Sequence, residues 1–143
     1  MGRAVAIVLV ALTGCSESSD PGRYIPSPDQ ATRALETALT AWQGGFTGST
    51  VPGATNPVVE FVDTHRPAGR KLQAFTVVGQ TPGEGPRVFN TKLTIDGVAG
   101  EQKVRYVVYG RDPVWVMRQE DYDMLNHWSH PPSTSDKTSP PRP

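Results

Sequence analysis

Histidine and carboxylate side chains lie close together in the chain at two places, Asp63 with His65 and Asp123 with His127, and His130 follows. Groups of this kind bind zinc or transfer protons in proteins. A zinc site needs several converging ligands, and 3 scattered histidines without structural cysteines do not supply them. We therefore predict no metal site, no cofactor and no catalytic residue, and we interpret the histidines as solvated loop residues.

The only cysteine, Cys15, ends the sequence Leu12-Thr13-Gly14-Cys15 directly after a short apolar run. Arg3 precedes that run, so residues 1–14 have the layout of a secretory signal peptide, and the run is well short of the roughly 20 apolar residues that a transmembrane helix needs. The four residues resemble the lipobox of bacterial lipoproteins. That resemblance implies that the peptide is removed and that Cys15 is acylated, which would fix the protein to a lipid bilayer. It leaves open whether this is the inner or the outer membrane.

Polar segments flank a single predicted domain at residues 25–128. Residues 15–24 contain the sequence SESSDPGR and indicate a flexible tether, whereas residues 129–143 contain 5 prolines and indicate a disordered tail. The 14 basic and 14 acidic residues are interspersed, and removal of Arg3 with the peptide leaves a net charge near −1. Such a balance argues against nucleic acid as a partner.

One strong helix signal begins the domain. Ser27 can cap it, Pro28 suits the first helical position, and Gln30 completes a capping box. Apolar residues then recur at helical spacing as far as Trp42, and Gly44 ends the pattern. We expect an amphipathic helix with its apolar face on a sheet, followed by an excursion loop over residues 46–57.

After this loop the apolar period changes to two, which predicts strands. The expected strands are Val58–Val62, Leu72–Val78, Phe89–Ile95, Val104–Val108 and Val114–Met117. Short turn-like separators join the later strands, so we predict an α+β fold in which one helix packs on a four- to five-stranded antiparallel meander. A short closing helix is expected over residues 121–128.

This order of elements is similar to the cystatin-like and NTF2-like rolls. The segment Gly110–Val116, the residues around Tyr122 and the helix from Pro28 to Trp42 together resemble a family of uncharacterised bacterial lipoproteins. The resemblance covers most of the domain and implies export and lipid anchoring in the cell envelope. It implies no activity.

The inward positions of the predicted strands are mostly apolar, so the space between helix and sheet is expected to be filled. We therefore predict a non-enzymatic binding or assembly module. The alternative is a small-pocket enzyme or ligand-binding protein of NTF2-like type, with Asp63 or Glu60 as a buried general base. Protease inhibition is a minor third hypothesis, because the two inhibitory motifs of cystatins are not reproduced.

The last two strands are apolar on both faces, unlike ordinary half-buried strands. If one face meets the helix, Val107, Tyr109, Trp115 and Met117 share the other. We predict that this face binds an envelope protein or a second copy, with Trp115 partly accessible. The alternative is that the segment Tyr122–Trp128 of the same chain covers it.

Overall fold

A computed structural model of the chain describes residues 21–129. The predicted signal peptide, Cys15 and residues 130–143 of the predicted tail lie outside this range. The elements in chain order are a 3-10 turn Pro21–Tyr24, α1 Pro28–Gln43, β1 Thr50–Thr55, β2 Val58–Val62, β3 Leu72–Thr81, β4 Arg87–Ile95, β5 Gln102–Tyr109, β6 Val114–Arg118 and α2 Gln119–Ser129.

Helix α1 confirms the sequence prediction. The Ser27 hydroxyl accepts a hydrogen bond from the Gln30 backbone N–H at 3.2 Å, and Pro28 occupies the first turn. The apolar face of the helix is buried against the sheet through Ala31, Ala34, Leu35, Ala38, Leu39 and Trp42. Three of these six residues are alanine, so the helix axis can approach the sheet closely.

The fold is α+β, as predicted, but the topology of its sheet differs from a simple antiparallel meander. It has six strands in the order β1-β2-β6-β5-β4-β3. Strands β3 to β6 form the predicted antiparallel meander, whereas β2 pairs in parallel with β6. The predicted excursion loop contains β1, which pairs with β2 as a hairpin at one edge.

The central position of β6 explains why it is apolar on both faces. It lies between β2 and β5, and its inner residues Val114 and Val116 are fully buried beneath α1. Helix α2, which corresponds to the predicted closing helix, contacts β5 and β6. A strand covered on both sides has no reason to alternate apolar with polar residues.

The domain has two ends that matter for function. At the Tyr24 end, the Gly110 N–H donates to the Tyr24 carbonyl at 2.5 Å, and the Gln30 side chain donates to the Arg111 carbonyl at 3.3 Å. The Asp63 end contains the last turn of α1, the loop after β2 and the first turn of α2. The 16 residues of α1 span about 24 Å, which separates the two ends.

Candidate functional site

A buried carboxylate, Asp63, lies directly after β2 at the Asp63 end. Because β2 and β6 are parallel, Arg118 at the end of β6 lies beside it, with the guanidinium Nη1 3.6 Å from Asp63 Oδ1. The Tyr106 hydroxyl, on β5, donates to Asp63 Oδ2 at 2.7 Å, and the His65 backbone N–H donates to Oδ1 at 3.0 Å. Three strands thus converge on one carboxylate.

A second carboxylate, Asp121, adjoins this group from the first turn of α2. Its two oxygens accept hydrogen bonds from the hydroxyl and the backbone N–H of Thr64, at 2.5 and 3.0 Å. The His65 ring Nδ1 lies 4.0 Å from Asp121 Oδ1. We call Asp63, Thr64, His65, Tyr106, Arg118 and Asp121 the carboxylate cluster. It connects α2 to the loop after β2.

Burial raises the pKa of Tyr106 well above its ordinary value, and the neighbouring Asp63 carboxylate raises it further. The tyrosine therefore keeps its proton and serves Asp63 as a hydrogen-bond donor. Burial also raises the pKa of Glu120, but its own backbone hydrogen bond and Arg118 outweigh that effect, so the pKa is lowered overall. Arg118 is thus bound by acids on two sides, with its Nε 3.1 Å from Glu120 Oε2.

The cluster includes three groups that could bind a cation, since ligand atoms of Asp63, His65 and Asp121 lie within 4.8 Å of one another. Hydrogen-bond donors of the same domain already occupy the oxygens that would bind a cation. Both oxygens of Asp63 already accept hydrogen bonds, both oxygens of Asp121 are bound by Thr64, and the Arg118 guanidinium would repel a metal ion. Within residues 21–129 every buried side-chain polar atom has a hydrogen-bond partner. The arrangement fits an internal charge network that fastens three strands and α2.

Sequence spacing predicts the pair Asp63 and His65, but not that they meet Tyr106, Arg118 and Asp121. The other predicted pair, Asp123 and His127, is exposed on α2, and His130 lies outside the described residues. The alternation of inward and outward residues along each strand is the sequence signal that points to this cluster. Asp63 follows Val59 and Phe61 in phase, and Arg118 likewise follows the inward residues of β6.

The space between α1 and the sheet is filled, as the sequence predicts. The inward residues of β4 and β5 are all buried in the core, namely Phe89, Leu93, Ile95, Val104, Tyr106 and Val108. Glu60, the other acid considered as a general base, lies on the sheet surface, where it accepts a hydrogen bond from the Thr50 hydroxyl at 2.8 Å.

A groove of about 860 Å³ runs along the outside of α1, between its first half and β1. Asp29, Gln30, Arg33 and Thr37 form the helical wall, and residues 52–57 form the other. Its lining is mixed in polarity and does not converge on a reactive group. The groove is a candidate site for a small ligand or a peptide.

The predicted partner face divides into covered and accessible parts. Val107 and Met117 are 1% and 6% exposed, and they face each other in the β5–β6 pairing. Tyr109 and Trp115 are half-buried, and their rings stack with centroids 6.4 Å apart. Tyr122 of α2 lies against Tyr109 at 5.7 Å, so the chain itself covers part of this face.

Beyond Tyr122, α2 leaves large apolar side chains in solvent. Met124, Leu125 and Trp128 are exposed, and Trp128 is 80% exposed. They lie within about a third of the helix circumference, at positions i, i+1 and i+4. We use the name aromatic patch for these three side chains and the half-buried Tyr109 and Trp115 of the two strands that α2 contacts.

Arg66 is held by the domain itself. Its guanidinium lies 4.6 Å from the Phe61 ring centroid and donates to the Phe46 and Gly48 carbonyls at 3.3 and 3.0 Å. The neighbouring Arg70 and Lys71 are exposed at the Asp63 end, far from Tyr24.

No family model, curated protein or solved structure matches this chain. Among residues 21–129 no helix is long and apolar enough to cross a membrane.

Proposed function

We propose that this chain is a membrane-anchored bacterial lipoprotein whose domain acts as a non-enzymatic binding or assembly module of the cell envelope. The observation that carries the binding role is the aromatic patch, because exposed aromatic and methionine side chains in a group favour protein interfaces. The filled helix–sheet interior and the internally bound carboxylate cluster support the non-enzymatic part.

Anchoring rests on Cys15 and on the short stretch that follows it. Residues 16–20 separate Cys15 from the 3-10 turn at Pro21, and a fully extended chain of that length spans about 20 Å. Acylation at Cys15 would therefore hold the Tyr24 end of the domain toward the bilayer. The Asp63 end, roughly a helix length away, would face the rest of the envelope.

Ligand binding is the second candidate function. The groove between α1 and β1 favours it, since its volume of about 860 Å³ falls within the usual range for small-molecule sites, about 300–1,000 Å³. Its lining contains Asp29 and Arg33 but no arrangement of nucleophile and base. The groove thus supports binding more than catalysis.

Removal of the aromatic patch tests the binding role. In membranes containing the full chain, chemical cross-linking should capture a partner protein or a second copy, and Trp128→Ser should reduce the yield about tenfold or more, as expected for an interfacial tryptophan. Trp115→Ser should act in the same direction. Glu36→Ser, an exposed change on α1 at the opposite face of the sheet, is the control.

Trp128 is the more informative of the two positions, because a side chain so exposed contributes little to folding. Circular dichroism of each variant checks that the fold is retained. Full cross-linking yield in both folded tryptophan variants would contradict a binding role for the aromatic patch.

A further inference from the structure

Strand β3 forms one edge of the sheet, and its ten residues include no charge and no proline. The opposite edge differs. Strand β1 has six residues and contains Pro52 and Gly53, whose φ of 78° breaks regular pairing. Proline and short length are usual ways of keeping an edge strand from pairing with another chain. Only β1 has these features, so β3 is the open edge.

Little of this chain covers the outer side of β3. Among residues 21–129, the Gln43 side chain is the one group that donates to a β3 carbonyl from outside the sheet, at 3.1 Å from the Gln73 oxygen. Further along, Ala74 to Val77 pair regularly with β4, between two register shifts. In that stretch, alternate N–H and C=O groups point away from β4 and are available to another strand.

The outer sheet face beside β3 is basic. Lys92, Lys103 and Arg105 line a shallow depression of about 480 Å³ together with Val78. Lys92 and Lys103 are directly opposite in the β4–β5 pairing, and Glu101, 3.6 Å from Lys92, is the acid bound to them among the described residues. Like charges directly opposite each other destabilise a sheet, so an acidic ligand would stabilise this region.

We infer that the edge of β3 binds an extended acidic segment of a partner protein, which adds to the sheet as a further strand. Its backbone would pair with Ala74 to Val77, and its outward acidic side chains would lie two strand spacings, about 10 Å, from β4, within reach of Lys92. The inference rests on the proposed binding function and names a class of partner for it. A second copy fits less well, since pairing of two β3 edges would place two basic faces side by side.

The test uses the full chain in mild detergent at low salt and fluorescein-labelled eight-residue peptides. The Glu-Thr repeat should bind about tenfold more tightly than the Lys-Thr repeat, as measured by fluorescence anisotropy. A Glu-Thr peptide with N-methylated backbone at alternate residues should bind far more weakly, because it keeps the charge but loses the donors. Equal binding of the methylated peptide would show simple charge attraction and would overturn strand addition.

A charge-reversed protein provides the second arm. The double variant Lys92→Glu, Lys103→Glu should weaken binding of the Glu-Thr peptide about fivefold to tenfold. Arg111→Glu, an exposed change in the loop between β5 and β6, should leave it unaltered. Unchanged binding by the double variant, or a concentration-dependent dimer that Val78→Lys abolishes, would overturn the inference. Neither result would alter cross-linking through the aromatic patch, so failure here is distinguishable from failure of the proposed function.

Discussion

Replacement of Asp63 by alanine should lower the free energy of unfolding by about 3–5 kcal/mol, the usual effect of breaking a buried ion pair from one side. The Arg118 side chain is 18% exposed and would keep its charge without its buried partner. The Tyr106 hydroxyl, which is buried on β5, would lose its acceptor as well. Denaturant unfolding followed by circular dichroism measures the loss.

Two further variants separate the causes. Asp63→Asn keeps an acceptor for Tyr106 but removes the charge opposite Arg118, so it should fall between the parent and Asp63→Ala. Asp123→Ala removes an exposed carboxylate from α2 and should change stability by no more than about 0.5 kcal/mol. A fully stable Asp63→Ala protein would show that the carboxylate cluster does not hold the strands together, and would reopen a catalytic role for Asp63.

Trp42→Ala should be similarly destabilising, by about 3–5 kcal/mol, because it empties a large volume at the end of the core. Trp42 is 2% exposed, its ring lies 6.5 Å from the Phe61 ring, and its Nε1 donates to the Arg70 carbonyl at 2.9 Å. The substitution therefore removes apolar contacts and leaves a loop carbonyl without its donor.

Trp128→Ala is the matched control for Trp42→Ala, since it makes the same chemical change at an exposed position. We expect its unfolding free energy to stay within about 0.5 kcal/mol of the parent value. Comparable losses for the two variants would mean that α2 is integral to the core and would remove the basis for treating Trp128 as part of a binding surface.

The elements with local signals could be predicted from sequence. The capping residues and apolar spacing of α1 and the period of two in β3 to β6 are properties of short segments, and each predicted its element. The sequence pattern predicts a loop in place of β1, because Pro52 and Gly53 are typical of turns. They are tolerated in β1 because it is an edge strand with a distorted register.

The parallel contact of β2 with β6 could not be predicted in the same way, because it joins segments about 55 residues apart and no turn specifies it. The carboxylate cluster depends on that contact, since Asp63 and Arg118 meet only when the two strands run side by side. Sequence phase could place both residues on the inward face. It could not show that they are neighbours.

Acylation of Cys15 is the most direct test of the central claim, that the chain is a lipid-anchored module. The full chain is expressed in bacteria supplied with labelled palmitate, alongside Cys15→Ser, which removes the only cysteine. We predict that the parent chain carries the label and sediments with membranes, and that the variant has neither property. An unlabelled parent chain, or equal label in Cys15→Ser, would contradict the account.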